Sequence, residues 1–147
     1  MSLLYLLLDI FLTHTGTVEM VDMVNEPPHY KDSSVVIEPI EVLKYMDFCL
    51  GNAFKYVIRA GKKGDYLEDL KKAQWYFNKA SKHPLFCVGD PEEEQKFTTL
   101  FSFFMVHTNN PLLQKAQKCT HYFDEYPVKV KQVVDATIES LEKENTI

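Results

Sequence analysis

Leu50-Gly51-Asn52-Ala53-Phe54-Lys55-Tyr56-Val57-Ile58-Arg59-Ala60-Gly61-Lys62-Lys63 carries two patterns at once. Leu50, Ala53, Phe54, Val57 and Ile58 recur at the spacing of one helical face and supply an apolar stripe for a core. Asn52, Lys55, Tyr56 and Arg59 recur on another face, gathering an amide, an ammonium, a phenol and a guanidinium within about two turns. Gly61 offers the left-handed residue that ends such a helix, and Lys62 and Lys63 add positive charge at its end. The spacing predicts a helix with one face for packing and one for an anion.

The charge distribution sharpens that reading. The chain has 147 residues and a formal charge of −5. Residues 1–50 hold 2 basic and 8 acidic side chains, residues 51–83 hold 8 and 3, and residues 84–147 hold 6 and 10. A basic island between acidic flanks suits a local anionic ligand, whereas a duplex binder spreads its positive charge widely. A solvated Lys-rich helix face has the same composition. The size suits one domain, and 46% hydrophobic with 25% charged residues is a globular composition. Three cysteines, Cys49, Cys87 and Cys119, are odd in number and lack CxxC spacing. That disfavours a disulfide framework or zinc site, fits a reducing cytosol, and suggests small buried apolar residues.

Working outward, the apolar run Leu3–Leu12 is too short for a membrane span and no basic residue precedes it, as a secretory signal would need. Residues 1–23 are read as a poorly specified extension. Pro27 and Pro28 stiffen a loop that holds His29, Tyr30 and Lys31. Glu38-Pro39 opens a short helix whose buried face is expected to be Ile40, Val42, Leu43 and Met46. Glu38 and Glu41, one turn apart, either complement the helix dipole or hold Mg²⁺. Asp47 is a candidate cap for the Leu50 helix. The next helix is expected from Tyr66 to about Lys82, folded back antiparallel by a short loop. That places Asp69 beside the helix that carries Arg59, where it orients a Lys or Arg or binds a metal. Lys72 lies on a polar face, and Trp75 lies near a boundary, where it belongs to the core or stacks on a base. Asp90-Pro91 and Asn110-Pro111 are helix starts, the latter through about Tyr122, and Pro127 opens the last helix. Phe97, Leu100, Phe101, Phe104 and Met105 are core or an oligomer contact. Neither a Walker loop nor GxGxxG occurs. The fold class is all-α, a compact bundle of about five or six helices with a Pro-rich N-terminal loop.

Four blocks in order, Val24-Asn25-x-Pro27-x-His29-Tyr30, Ile37-Glu38, Gly51-Asn52-Ala53-x-Lys55-Tyr56-x-x-Arg59-Ala60-Gly61-Lys62-Lys63 and Glu68-Asp69-Leu70-x-Lys72-Ala73-x-Trp75-Tyr76, resemble the SaV-like family of small phage and prophage proteins. That family is a domain of unknown function, with one branch that is a P-loop-less deoxynucleotide kinase. The resemblance spans about 24–80 and implies a helical core over 24–83 with a nucleotide site. Residues 84–147 are then a C-terminal part of the same domain or an oligomerisation region. It implies phosphoryl transfer to a deoxynucleoside monophosphate, with His29, Asn52, Lys55, Tyr56, Arg59 and Asp69 as the shared polar set. In that scheme Lys55, Arg59, Lys62, Lys63 and Lys72 hold phosphates, His29 or Tyr56 contacts phosphate or sugar, and Tyr30 or Trp75 stacks on the base. Asp69 with Glu38 or Glu41 holds Mg²⁺. The alternatives are a non-enzymatic phage protein that binds a nucleotide or a host protein, and an all-α, Mg²⁺-dependent nucleoside triphosphate pyrophosphohydrolase. The last rests on the carboxylates Glu38, Glu41, Glu68 and Asp69. A homo-oligomer in the host cytosol is expected in each case, with no membrane or duplex nucleic acid as partner.

Overall fold

The computed structural model describes residues 37–80 and 90–146. Among them there are six α-helices, a single 3-10 turn and no strand. In chain order the helices are α1 (Pro39–Leu43), α2 (Phe48–Arg59), α3 (Tyr66–Lys79), α4 (Pro91–His107), α5 (Pro111–Cys119) and α6 (Tyr126–Asn145), with the 3-10 turn Phe123–Glu125 leading into α6. This is the all-α bundle expected from the periodicity. Residues 1–36, which hold the Pro-rich loop with His29 and Tyr30, lie outside the described residues, as does Cys87.

Caps set the helix starts. The Asp47 carboxylate accepts from Leu50 N at 2.9 Å, Asp65 accepts from Glu68 N at 2.8 Å, and Asp90 accepts from Glu92 N at 3.0 Å. Each satisfies a donor that the helix itself leaves orphaned. α2 ends in a β-turn over Arg59–Lys62. Ala60 has φ −53° and ψ 125°, Gly61 has φ +86°, and Lys62 N donates to Arg59 O at 2.8 Å. Such a type II turn needs positive φ at its third residue, which glycine adopts without strain. The chain then turns through residues 60–65 and α3 packs back along α2, the most extensive helix pairing among the described residues.

The stripe Leu50, Ala53, Phe54, Val57 and Ile58 is buried throughout. Phe54 is the hub, with its ring edge-on to Phe77 of α3 at 5.8 Å and to Phe101 of α4 at 5.7 Å. Phe97 and Phe101 stack at 5.6 Å, and Phe123 and Tyr126 close around them. Phe97, Leu100, Phe101, Phe104 and Met105 are therefore buried within the chain's own core, which is a single cluster fed by every α-helix.

Several expectations need correction. The inward residues of α1 are Pro39 and Val42, with Met46 just beyond it, whereas Ile40 is 58% exposed. Five residues make little more than one turn, so only one side of α1 can face inward. Trp75 is 56% exposed and is not a core residue. α5 stops at Cys119 because Thr120 is extended, its hydroxyl donating to Glu125 Oε2 at 2.6 Å and accepting from Tyr122 N at 3.0 Å. Cys119 is exposed and Cys49 half-buried, so neither is a buried core thiol. No helix among the described residues is long and apolar enough to cross a membrane.

Candidate functional site

The polar stripe of α2 does not face the core. Phe48, Asn52, Lys55, Tyr56 and Arg59 follow one another along the seam that α2 makes with α3, where Asp69, Lys72, Tyr76 and Lys79 succeed one another in the opposite direction. The centre of the seam is Tyr56. Its ring stacks on Tyr76 of α3, with centroids 5.9 Å apart and planes 15° from parallel. Three cations gather around it: Lys55 Nζ at 4.7 Å, Lys72 Nζ at 5.7 Å and Arg59 Cζ at 5.9 Å from the centroid. The negative face of an aromatic ring attracts cations, so Tyr56 holds close together three like charges that would otherwise repel.

At the turn end, Arg59 Nε lies 3.5 Å from Asp69 Oδ2. Asp69 is 2% exposed, and both of these atoms are buried without a hydrogen-bond partner. The contact is thus an ion pair whose geometry is too poor for a hydrogen bond, and it leaves donor and acceptor capacity unused. Gly64, at φ +74°, passes beneath the guanidinium: a Cβ there would sit 3.6 Å from Arg59 Nη2. One turn along, Lys72 Nζ meets Glu68 Oε1 at 2.6 Å. That hydrogen bond raises the Lys72 pKa above the usual lysine value, so the ammonium stays charged at neutral pH. Asn52 sits one turn before Tyr56 and donates from Nδ2 to Phe48 O at 2.8 Å.

The structure therefore brings together Asn52, Lys55, Tyr56, Arg59, Asp69 and Lys72. Lys62 and Lys63 follow at the adjacent turn, exposed. Trp75 joins through Tyr76, whose ring it meets edge-on at 5.0 Å. His29 and Tyr30 lie outside the described residues. Glu38 occupies the N-cap position of α1, and Glu41 pairs with Lys44 at 3.2 Å, which raises the Lys44 pKa. Among the described residues no group of three or more His, Cys, Asp or Glu side chains is arranged to hold a metal ion.

Two residues have supporting roles beyond the sequence reading. Tyr76, which shares a polar face with Lys72 by its spacing, is the floor on which Tyr56 lies. Asn110 caps its helix as the Asn110-Pro111 start implies, but nothing in the sequence signals its second contact. Its Nδ2 donates to Val57 O at 3.1 Å across 53 residues of sequence, while its Oδ1 accepts from Leu112 N and Leu113 N. One buried side chain thus caps α5 and satisfies a carbonyl in the last turn of α2, steadying the end that carries Arg59. On the far side of α3, a groove of about 530 Å³ runs along α6, with Lys71, Trp75, Asp135 and Glu142 on its walls. Lys71 pairs with Glu142 at 2.8 Å, and Asp135 takes both Gln74 and Lys131.

Residues 24–78 match the family described as a protein of unknown function (DUF3310). That description assigns no activity and does not carry the SaV-like designation. The matched segment contains every charged residue around Tyr56, and excludes Asn110 and helices α4 to α6. The chain is 35% identical over 82 residues to the nucleotide kinase gp1.7 of Escherichia phage T7, covering 50% of this chain and 42% of that protein. It is also 35% identical over 78 residues to the gene 1.7 protein of Enterobacteria phage T3, covering 47% of this chain and 48% of that protein. The chain thus spans less than half the length of either relative. No solved structure matches it.

Proposed function

We propose that this chain is a phage-type nucleotide-binding protein that transfers a phosphoryl group from a nucleoside triphosphate to a deoxynucleoside monophosphate without a P-loop. The observation that carries this reading is the convergence of Lys55, Arg59 and Lys72 on Tyr56, inside the family-matched residues 24–78 of a chain that resembles a phage nucleotide kinase over half its length. Phosphoryl transfer needs little covalent chemistry from a protein; positioning and neutralisation of charge supply most of the acceleration. Lys55 and Lys72 hold phosphate oxygens as point charges, and Arg59 presents its planar fork for two parallel hydrogen bonds. Asp69 is a positioning residue that keeps the guanidinium turned toward the seam. Asn52 contacts the sugar or a phosphate, and Lys62 and Lys63 draw the triphosphate to the turn. Mg²⁺ carried by the triphosphate would be held largely by phosphate oxygens, since Asp69 Oδ2 already faces the Arg59 guanidinium and the described residues hold no carboxylate cluster for a metal.

The test is a coupled product assay. The chain is incubated with Mg²⁺, a triphosphate donor and each of the four deoxynucleoside monophosphates, and products are separated by ion exchange. A deoxynucleoside diphosphate formed only when donor and acceptor are both present is expected. Lys55→Ala, at a half-exposed position, should fold normally and lose about 10²–10³ in turnover, the scale of removing one charge-stabilising donor. Tight nucleotide binding with no product would reduce the function to sequestration. Pyrophosphate released from a triphosphate alone would replace transfer with hydrolysis.

A further inference from the structure

The seam carries more aromatic surface, over a greater length, than a mononucleotide's phosphates call for. Phe48 is 76% exposed and Trp75 is 56% exposed, which is costly for such large rings unless they meet something. Both touch Tyr76, Phe48 at 6.2 Å and Trp75 at 5.0 Å, and Tyr76 in turn stacks on Tyr56. The four rings make one connected surface. Cations lie beside it, Lys55 and Lys72 at Tyr56 and Lys79 Nζ 5.6 Å from the ring centroid of Trp75, which stands at the rim between the seam and the α3–α6 groove.

We infer that the α2–α3 seam is a track for single-stranded nucleic acid, with bases stacking on Phe48, Tyr76 and Trp75 and phosphates running beside Lys55, Lys72 and Lys79. Aromatic platforms interleaved with a line of cations are what a strand with unpaired bases requires, because every base has a face to stack and every linkage has a charge to neutralise. Length supports a strand over a single nucleotide. Phe48 to Arg59 covers about 16 Å at the helical rise, against about 3.4 Å per nucleotide of a stacked strand, which is room for about five nucleotides. Charge favours a short single strand over a duplex. The positive charge is confined to residues 51–83 in a chain of net charge −5, whereas a duplex binder spreads its positive charge widely. A duplex also hides the base faces that the rings would take. The inference shares Lys55, Lys72 and Trp75 with the nucleotide reading, but it stands on Phe48 and Lys79, which that reading does not use.

Trp75 is the one tryptophan in the chain, so its fluorescence reports the site directly. The full chain is titrated with an eight-nucleotide deoxythymidylate, following indole emission and the anisotropy of a dye on the strand. Saturable binding with quenching of Trp75 is expected. The logarithm of the affinity should fall with the logarithm of salt at a slope near −2, as about three phosphate contacts on a single strand require. Phe48→Ala and Lys79→Ala should each weaken the strand by about tenfold or more, while deoxynucleotide turnover keeps its parental rate. Equal affinity for a duplex of the same length overturns the inference. So does salt-independent binding, or a Phe48→Ala protein that dissociates from a dimer yet binds the strand as before. Turnover of monophosphates with no strand binding removes this inference and leaves the kinase reading intact; strand binding with no turnover does the reverse.

Discussion

The two faces of α2 are built from neighbouring residues and follow opposite rules. On one, Leu50, Ala53, Phe54, Val57 and Ile58 are at most 5% exposed and every contact is closed. On the other, Asn52, Lys55, Tyr56 and Arg59 are half-exposed, and the buried atoms Arg59 Nε and Asp69 Oδ2 face each other without a hydrogen bond. The first face is satisfied by the chain itself. The second keeps charge and hydrogen-bonding capacity in reserve, which suits a surface that completes itself with a ligand. The difference teaches that stability and function on this helix are separable, and substitutions on each face should move different observables.

The largest effect is expected on the closed face. Phe54 is fully buried between Phe77 and Phe101, so Phe54→Ala removes a large ring and leaves a cavity that α3 and α4 fill only in part. A loss of about 3–5 kcal/mol in chemical denaturation is expected, with nucleotide affinity unchanged in the fraction that stays folded. A loss below 1 kcal/mol would mean that the three helices do not share one rigid core.

The apolar face of α2 was legible because periodicity alone assigns it: a helix with that stripe must bury it, whatever covers it. The antiparallel return of α3 along α2 was legible from a loop too short to do anything else, whereas the choice of Arg59 as the cation that Asp69 meets depends on side-chain register across the seam. The rest depended on partners distant in sequence. Nothing near Asn110 hints that its amide reaches Val57, because no periodicity spans 53 residues. Ile40 was misplaced because a helical pattern was extended over a helix too short to show one. Trp75 was ambiguous for a chemical reason: indole is as much at home in a core as on a ligand, and only its 56% exposure separates the two.

Asn110 ties the two faces together and should give the next largest effect. Asn110→Ala removes the α5 cap and leaves Val57 O buried without its donor, a loss of about 1–3 kcal/mol. Because Val57 lies two residues before Arg59, turnover should fall as well, measured below the unfolding transition. Asn110→Asp keeps the cap but turns an oxygen toward Val57 O. It should therefore show the activity loss with a smaller share of the stability loss due to the cap.

On the open face, a double-mutant cycle over Arg59→Lys and Asp69→Asn isolates the poor ion pair. Both contacting atoms are buried, but the contact is long and makes no hydrogen bond, so a coupling of about 1 kcal/mol or less in stability is expected. Coupling in turnover should be larger, because Asn at 69 still packs but no longer turns the guanidinium. Equal coupling in both measurements would make Asp69 a structural residue only.

The smallest effect tests whether the charge on Lys72 is available. Its pKa is raised first by the hydrogen bond to Glu68, so that bond's contribution is complete below about pH 10.5 and is lost only as pH rises through the higher folded value. At neutral pH Lys72 is therefore always a cation, and Glu68 competes with any phosphate for it. Glu68→Gln removes the competitor without touching Lys55, Arg59 or the core. Nucleotide affinity measured by calorimetry should tighten a few-fold, with the denaturation midpoint unmoved, since the pair is solvent-exposed. Weaker binding would mean instead that Glu68 positions Lys72 over the Tyr56 ring. The open face would then be pre-organised by its own carboxylates in the way that the closed face is pre-organised by packing.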